Sequence, residues 1–234
     1  MNGIAAPALV SLGAMLVRGG EIELARTVLA RAMSMAPNSA AAHLEFSRLY
    51  LAKNDYQNAV QSAKRALELA PASLEANLAL AEAFISGRQN LQALEHLSKV
   101  QPKFGNSAAF HYTLGIAQFR VNRYQPAIAS LKKAVQLDPS LDLAHFLLGN
   151  ACLSTGDLDQ AEASFKAAVA LNSKSVLYYN YLARVHERKG DAFKGAALES
   201  TNKVLALDAK DVEARERLAS GLKKRMTCQE PGAY

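Results

Sequence analysis

A period of about 34 residues runs through most of the chain and constrains its fold more than any other feature. The segments MAPNSAAAH, LAPASLEAN and LDPSLDLAH place their prolines one period apart and then two periods apart. Five alanines keep the same interval without interruption: Ala25, Ala59, Ala93, Ala127 and Ala161. A repeat of about 20–50 residues is typical of proteins built from stacked supersecondary units. We therefore expect a series of similar units rather than one compact core.

Each unit has the residue pattern of two α-helices. Hydrophobic residues make up 50% of the chain, which contains only 13 Gly and 7 Pro. The fifth unit is the clearest, with Leu148 and Gly149 in the first helix and Ala161 and Phe165 in the second. Residues that tolerate left-handed backbone angles stand between the predicted helices, which they can end at low cost. These residues are Gly20, Asn54, Asn122, Gly156 and Gly190, with Gly87 one place earlier in the third unit.

This pattern resembles the tetratricopeptide repeat, in which Leu-Gly in the first helix is followed by an Ala and an aromatic residue in the second. The resemblance covers about nine tenths of the chain in six tandem copies. It implies an all-α fold, namely a right-handed superhelical solenoid of about six helix-turn-helix units followed by a C-terminal capping helix.

We expect one solenoid domain over residues 1–226 and a flexible tail over residues 227–234. The predicted repeats lie at about residues 6–39, 40–73, 74–107, 108–141, 142–175 and 176–211, with the capping helix at 211–225. Two units depart from the period. Pro102 comes three residues early and predicts an irregular exit from the third unit. The sixth unit needs about two extra residues, which predicts a longer turn or a bulged second helix.

Small residues occupy one position of every first helix. They are Gly13, Ser47, Ala81, Gly115, Gly149 and Ala183. Glycine inside a helix costs about 1 kcal/mol relative to alanine, a cost that is tolerable where two backbones approach closely. The alanines of the second helices meet the same need, so we expect the two helices of a unit to pack tightly at this position.

In tetratricopeptide-repeat proteins the first helices line a concave groove in which ligand peptides usually lie. The resemblance therefore implies a binding site along an apolar stripe formed by Leu44, Leu51, Leu78, Ile85, Tyr112, Phe119, Phe146 and Leu153. The aromatic members are candidate anchors, because aromatic side chains dominate interface energetics. Packing between repeats is the alternative explanation. It stays open for Tyr112 and Phe119, and it is favoured for the aliphatic residues.

Arginines on the same face add a possible polar contribution to binding. Arg48, Arg120, Arg184 and Arg188 could bind an acidic segment or a free C-terminus, because arginine binds carboxylates through two hydrogen bonds. Pairing with neighbouring glutamates on a solvated face is the more common role of such charges. Some family members clamp the tail of heat-shock chaperones with Lys, Asn and Arg. The corresponding positions carry Tyr112, Ile116, Leu147, Leu177 and Tyr181, so we do not expect that clamp.

We predict no enzymatic activity, no cofactor and no metal site. The sequence has no glycine-rich phosphate loop, no nucleophile elbow and no pair of histidines at metal-binding spacing on a helix. His43, His111 and His145 share one repeat position, and adjacent copies are expected about 10 Å apart, too far to share one ion directly. They are expected to fill the position where the repeat often has tryptophan.

The predicted function is a non-enzymatic scaffold or adaptor that binds a protein or peptide segment in the groove. The alternative is a recognition module of a larger multidomain enzyme, or of an envelope, secretion or pilus assembly protein. A net charge of +6 permits nucleic-acid binding, but the basic residues are scattered among acidic ones. No small-molecule substrate and no membrane span are expected. The cytoplasm is the default compartment, since no targeting signal is recognised.

Overall fold

The computed structural model describes the backbone of residues 2–227 and the side chains of residues 5–220. This part of the chain contains thirteen α-helices, one short 3-10 helix and no strand. Residues 228–234 of the predicted flexible tail lie outside the described residues, and Thr227 ends the last helix. The helices form two compact units, which divide between Arg123 and Tyr124. The 34-residue units of the sequence are called repeats from here on. The prediction that the chain forms a single domain stays a prediction.

The first unit contains seven helices. They are α1 (Asn2–Arg18), α2 (Ile22–Met35), α3 (Ala40–Ala52), α4 (Tyr56–Leu69), α5 (Leu74–Ser86), α6 (Asn90–Phe104) and α7 (Ala108–Arg120). Each odd-numbered helix packs against the even-numbered helix that follows it, and each even-numbered helix packs against the next odd one. Successive odd-numbered helices also contact each other. A helix pair is thus covered by the next pair, as expected for stacked repeats.

The second unit contains the other six helices. They are α8 (Tyr124–Leu137), α9 (Asp142–Thr155), α10 (Leu158–Leu171), α11 (Val176–Lys189), α12 (Lys194–Leu207) and α13 (Val212–Thr227). Consecutive helices pack against each other throughout this unit, and α13 covers α12 as a capping helix. The predicted all-α class, built from helix-turn-helix repeats with a C-terminal capping helix, is confirmed.

Serine caps begin most of the first helices. In four of the turns between repeats, the serine Oγ atom accepts a hydrogen bond from the backbone N–H three residues later: Ser39 from Ala42, Ser73 from Ala76, Ser107 from Phe110 and Ser175 from Tyr178. Such a cap satisfies one of the N–H groups that a helix start leaves without a partner. The period therefore places helix starts at Ala40, Leu74, Ala108 and Val176.

The turn between the two helices of each repeat contains one residue with a positive φ angle, at a constant position. Positive φ angles occur at Gly20, Asn54, Arg88, Asn122, Gly156 and Gly190, each one repeat period after the one before. The expectation that Gly87 takes this role in the third repeat is wrong, since Gly87 has a φ of −78° and Arg88 a φ of 60°. Gly87 matters instead for helix packing. A Cβ atom on Gly87 would lie 3.1 Å from the Cβ of Tyr56, so glycine allows close approach to α4.

The two irregular repeats keep the architecture of the others. In the third repeat, Pro102 does not end the second helix, because α6 continues to Phe104. In the sixth repeat, a 3-10 helix at Asp191–Phe193 precedes α12 and accommodates the extra residues. Of the two outcomes predicted for that repeat, the longer turn is the one observed.

The two helices of a repeat pack tightly where the first helix carries its small residue. A Cβ atom on Gly149 would lie 2.7 Å from the ring of Phe165, and one on Gly13 would lie 2.4 Å from Leu29. Phe165 and Leu29 are both fully buried. The expected close approach is therefore present, and at these two repeats it leaves no room for a methyl group.

Replacing Arg88 with glycine is expected to stabilise the protein by about 0.5–1 kcal/mol. A left-handed angle costs a residue with a Cβ roughly 1–2 kcal/mol, and the greater freedom of glycine in the unfolded chain offsets part of the gain. Thermal unfolding followed by circular dichroism measures the change. Gly87→Ala is the comparison, because Gly87 has a negative φ and a change there relieves no left-handed angle. A lower midpoint for Arg88→Gly would contradict the prediction.

Gly149→Ala is expected to destabilise the protein by about 1–3 kcal/mol, because the added methyl group overlaps the buried ring of Phe165. Phe165→Leu should make room, so the double variant should lose less stability than the sum of the two single variants. The control is Gly195→Ala in α12, where a Cβ meets nothing within 4 Å. That variant should gain stability from helix propensity. Strictly additive effects of Gly149→Ala and Phe165→Leu would argue against the close contact.

Candidate functional site

Four aliphatic members of the predicted stripe lie on the first helices of the first unit. Leu44, Leu51, Leu78 and Ile85 are half-buried and pack against a core cluster that includes Phe84, Leu97 and Leu114. Tyr112 and Phe119 are half-buried on α7. The aliphatic side chains thus contribute to packing between repeats.

The charges on this face of the first unit are mixed. Arg48 donates a hydrogen bond to Oε1 of Glu45, a carboxylate that is only 7% exposed and whose Oε2 has no hydrogen-bond partner. Burial raises the pKa of Glu82, and the nearby Arg48 guanidinium opposes that shift. Arg48 therefore lies near the carboxylates of Glu45 and Glu82. Arg120 is exposed at the end of α7.

In the second unit, Phe146 belongs to an aromatic cluster. Its ring centroid lies 5.0 Å from those of Tyr178 and Tyr181 and 5.7 Å from that of Phe165. These rings join α9, α10 and α11. Leu153 is only 7% exposed. Phe146 thus packs between consecutive repeats, and the side chain of Leu153 is buried.

An exposed row of side chains lies beside that cluster, and sequence reasoning did not select its apolar members. Leu143 and Leu177 occupy equivalent positions in α9 and α11 and are 52% and 49% exposed. Tyr181, Arg184 and Arg188 follow Leu177 on the same side of α11, at spacings of four, seven and eleven residues. We call these five residues the α9–α11 row. Exposed leucine at the second position of two consecutive first helices is the sequence signal that could have identified it.

The two arginines of the α9–α11 row are held by local contacts. The guanidinium carbon of Arg184 lies 5.0 Å from the ring centroid of Tyr181, a cation-π contact. Arg188 donates a hydrogen bond from its guanidinium to the carbonyl oxygen of Leu153 at 3.0 Å. Both side chains remain exposed. The row therefore combines exposed apolar surface with two positive charges.

A buried charge cluster anchors α11 below the row. Glu162 on α10 lies 3.3 Å from Nε2 of His186 and 2.5 Å from Nζ of Lys166, and it also pairs with Lys189. Burial acts to raise the pKa of Glu162. The hydrogen bonds from Lys166, Lys189 and His186 outweigh burial and lower the pKa to about 2.

The 3-10 helix of the sixth repeat covers this cluster. The ring of Phe193 stacks on His186 at a centroid distance of 6.2 Å, and Nζ of Lys189 lies 4.6 Å from the same ring. The extra residues of this repeat thus place the Phe193 ring over the buried pair of Lys189 and Glu162. Sequence reasoning predicted the additional length but not this role.

Comparison with known families matches the chain to the model described as "Tetratricopeptide repeat" at residues 10–73, 112–176 and 146–212. These matches cover more than half of the chain. The chain belongs to the tetratricopeptide-repeat family. A second model, described as "Anaphase-promoting complex, cyclosome, subunit 3", matches residues 52–134. Among curated protein sequences, none matches this chain.

Solved structures share the tetratricopeptide-repeat fold with this chain. A chain of the APC/C hetero-tetramer Cut9-Hcn1 has a TM-score of 0.81 and 19% identity over 93% of this chain and 43% of its own length. PilW, a type IV pilus biogenesis factor, has a TM-score of 0.81 and 19% identity over 92% of this chain and 99% of its own. PilF of Pseudomonas aeruginosa has a TM-score of 0.78 and 14% identity, over 94% and 99%. At these identities the likeness shows the fold alone.

The histidines at the tryptophan position of the repeat have a structural contact. His43, His111 and His145 each place Nε2 within hydrogen-bonding distance of the carbonyl oxygen six residues earlier, at 3.3, 2.9 and 3.1 Å. They thereby tie the turn between two repeats to the next first helix. No group of three or more His, Cys, Asp or Glu side chains within the described residues could hold a metal ion.

Cys152 has the properties of a core residue. It is fully buried and donates a hydrogen bond from Sγ to Oε1 of Gln160 at 3.3 Å. Burial, together with the negative charge of Asp157, raises the pKa of its thiol to about 11. The thiolate that nucleophilic chemistry requires is therefore disfavoured near neutral pH. None of the described helices has the length and apolar character needed to cross a membrane.

Acid is expected to destabilise the protein partly through Glu162. The folded-state pKa of about 2 lies below the ordinary value of 4.5. The contribution of this group is therefore complete above about pH 5 and is lost as the pH falls toward 2. The full contribution is on the order of 3 kcal/mol. Chemical denaturation of the wild type and Glu162→Gln at several pH values measures the effect.

The stability difference between these two proteins should shrink steadily from pH 5 to pH 3. Glu95→Gln is a suitable control, because this exposed carboxylate pairs only with the exposed Lys99. Exposed pairs contribute little to stability, so this control should follow the wild-type pH profile closely. A pH-independent difference between wild type and Glu162→Gln would contradict the assignment.

Proposed function

We propose that this chain is a non-enzymatic adaptor that binds a protein or peptide segment on the first-helix faces of its repeats. Tetratricopeptide-repeat proteins are in general protein interaction modules, and this chain belongs to that family. The single observation that carries the proposal is the α9–α11 row. It exposes two leucines and two arginines together, although leucines at most other first-helix positions are buried or half-buried.

The chemistry of the row favours a ligand with both apolar and acidic side chains. Leu143 and Leu177 can bury apolar groups, and each fully buried aliphatic side chain contributes about 1.5–3 kcal/mol. Arg184 and Arg188 can each form two parallel hydrogen bonds with a carboxylate. An α-helix rises about 1.5 Å per residue, so Arg188 lies roughly 16 Å from Leu177 along α11. An extended peptide covers that distance in about five residues.

The first unit contributes a second candidate surface. Tyr112, Phe119 and Arg120 on α7 remain proposed binding residues, as does Arg48 on α3. Because Glu45 already pairs with Arg48 and Glu82 lies nearby, this surface has less unbalanced positive charge than the α9–α11 row. We therefore place acidic ligand groups on the second unit.

The alternative proposal keeps the same binding surface in a different context. The chain spans 43% of the matched chain of the APC/C assembly. A repeat array of this kind can act as the recognition part of a larger protein, including an enzyme or an envelope, secretion or pilus assembly component. The two proposals differ in what the bound segment is delivered to, and both require the α9–α11 row to bind it.

The test uses affinity purification with the intact chain as bait. Leu143→Ser combined with Leu177→Ser should remove the apolar part of the row without unfolding, since about half of each side chain is already exposed. We expect bound proteins to be depleted at least about tenfold, which corresponds to about 1.4 kcal/mol. Quantitative mass spectrometry of the bound fraction measures the depletion.

The matched control is Leu137→Ser combined with Leu171→Ser. These leucines end two second helices of the same unit and are 38% and 45% exposed. The control should retain the bound proteins, and circular dichroism should show the same helical content for all three baits. Retention of all bound proteins by Leu143→Ser/Leu177→Ser, or equal loss from both double variants, would overturn the proposal.

A further inference from the structure

The first helices α3 and α5 of the first unit carry more negative than positive charge. Glu45 lies on α3, and Glu75 and Glu82 lie on α5, whereas Arg48 is the only Lys or Arg of the two helices. Arg48 forms a salt bridge with Glu45, and its charge also acts on Glu75 and Glu82. We call these four residues the α3–α5 charge cluster. One guanidinium does not balance three carboxylates, so the cluster attracts a further cation.

One carboxylate of the cluster is buried and has an unused acceptor atom. Glu45 is 7% exposed, and Arg48 donates a hydrogen bond to its Oε1 atom. The Oε2 atom of Glu45 is also buried, and none of the described residues donates a hydrogen bond to it. Buried carboxylate oxygens normally have a donor, because desolvation without one costs free energy. The buried end of the cluster therefore lacks one hydrogen-bond donor.

A second carboxylate, that of Glu82, is accessible to a ligand. Glu82 is exposed as a residue, although its neighbours desolvate the carboxylate enough to raise its pKa. Within the described part of the chain, Glu82 forms no salt bridge. Glu75, by contrast, accepts a hydrogen bond of 2.9 Å from Oγ of Ser73 at the start of α5, where the helix dipole already stabilises a negative charge. Glu82 is therefore the carboxylate of the cluster that a ligand cation can reach.

Apolar side chains flank Glu82 on the same side of α5. Leu78 comes four residues before it and Ile85 three residues after it, and both are half-buried. Lysine and arginine combine an aliphatic stem with a cationic end, so the stem covers apolar surface while the charge stays at a polar group. A lysine or arginine side chain of a ligand therefore matches both parts of this arrangement.

A divalent metal ion fits the cluster less well than a side-chain cation. No group of three or more His, Cys, Asp or Glu side chains in the part of the chain that the structure describes could hold a metal ion. The guanidinium of Arg48 also lies near Glu45 and Glu82, and it repels a divalent ion more strongly than a monovalent one at the same distance. The charge of the cluster is therefore complementary to a single positive charge.

We propose that the α3–α5 charge cluster binds a lysine or arginine side chain of a protein ligand, with the cation at Glu82 and the aliphatic stem against Leu78 and Ile85. Arg48, whose side chain is 46% exposed, is then released from the attraction of Glu82 and can donate to both oxygens of Glu45. Binding thereby supplies the donor that Oε2 of Glu45 lacks. The inference rests on the proposed adaptor function, because it assigns a ligand group to a first-helix face.

Selection from a phage-displayed library of random peptides of about seven residues, with the intact chain immobilised, tests the ligand class. The wild type should enrich peptides in which Lys or Arg stands beside apolar residues, and Glu82→Gln should lose that enrichment. Glu95→Gln is the matched control, because it removes the same charge from an exposed position on α6 and should retain the enrichment. Circular dichroism should show equal helical content for all three proteins. Wild-type selections without enrichment of basic residues overturn the proposal, as does equal loss in both variants.

Isothermal titration calorimetry with a synthetic copy of a selected basic peptide tests the geometry. Norleucine in place of the basic residue of the peptide keeps an aliphatic stem and removes the charge. This change should weaken binding to the wild type at least about tenfold, and Glu82→Gln should weaken binding of the basic peptide by a similar factor. With the cation at Glu82, the two changes together should cost little more than either alone. Losses that multiply would place the cation elsewhere and overturn the assignment.

The α9–α11 row provides the comparison that separates this proposal from the adaptor function. Leu143→Ser combined with Leu177→Ser leaves the α3–α5 charge cluster unchanged, so the basic peptide should bind that double variant with wild-type affinity. Selection of only acidic peptides, which this double variant no longer binds, would support the adaptor function and overturn the cation site.

Discussion

Burial of one helix pair by the next is the interaction on which the rest of this structure depends. A pair such as α3 and α4 buries only part of its apolar surface internally, and α5 covers the remainder. In the first unit, residues of four helices therefore share one cluster, which extends from Ala59 on α4 to Ala117 on α7. The stability of each repeat depends on the apolar area that it buries against its neighbours. Isolated helix pairs of this size therefore do not fold alone.

The same constraint divides first-helix residues into those that pack and those that can bind. Phe146 and Leu153 are predicted to line a groove; in the structure Phe146 also belongs to an aromatic cluster between repeats, and Leu153 is only 7% exposed. Leu143 and Leu177 lie a few residues away and remain half-exposed. The helical period places both sets on one broad side of the first helix. Burial by the neighbouring repeat then separates them, so an apolar pattern alone cannot distinguish a binding residue from a packing one.

Features that recur with the repeat period were predictable, because six copies show them. The helix pairs, the small residue at Gly149 and its equivalents, and five of the six left-handed turn residues follow directly from aligned repeats. Features that occur once were not predictable. Arg88 adopts a left-handed angle because the turn geometry is set by the repeat, even though a glycine stands beside it. The cluster of Glu162, His186 and Lys189 joins two helices at a single place, and no period reveals it.

The placement of that buried cluster links stability to the candidate site. Glu162, Lys189 and His186 join α10 to α11, and α11 carries Arg184 and Arg188 on its exposed side. Removing one member of a buried ion pair leaves the other charge desolvated and without a partner, at a cost that commonly exceeds the net stability the pair provides. The register of α11 against α10 is thereby restricted, because a shift by one turn would separate these charges. Leu177, Arg184 and Arg188 all belong to α11, so the same contact fixes their position relative to α10. The geometry of the proposed binding row therefore depends on polar groups that lie on another face of the same helix.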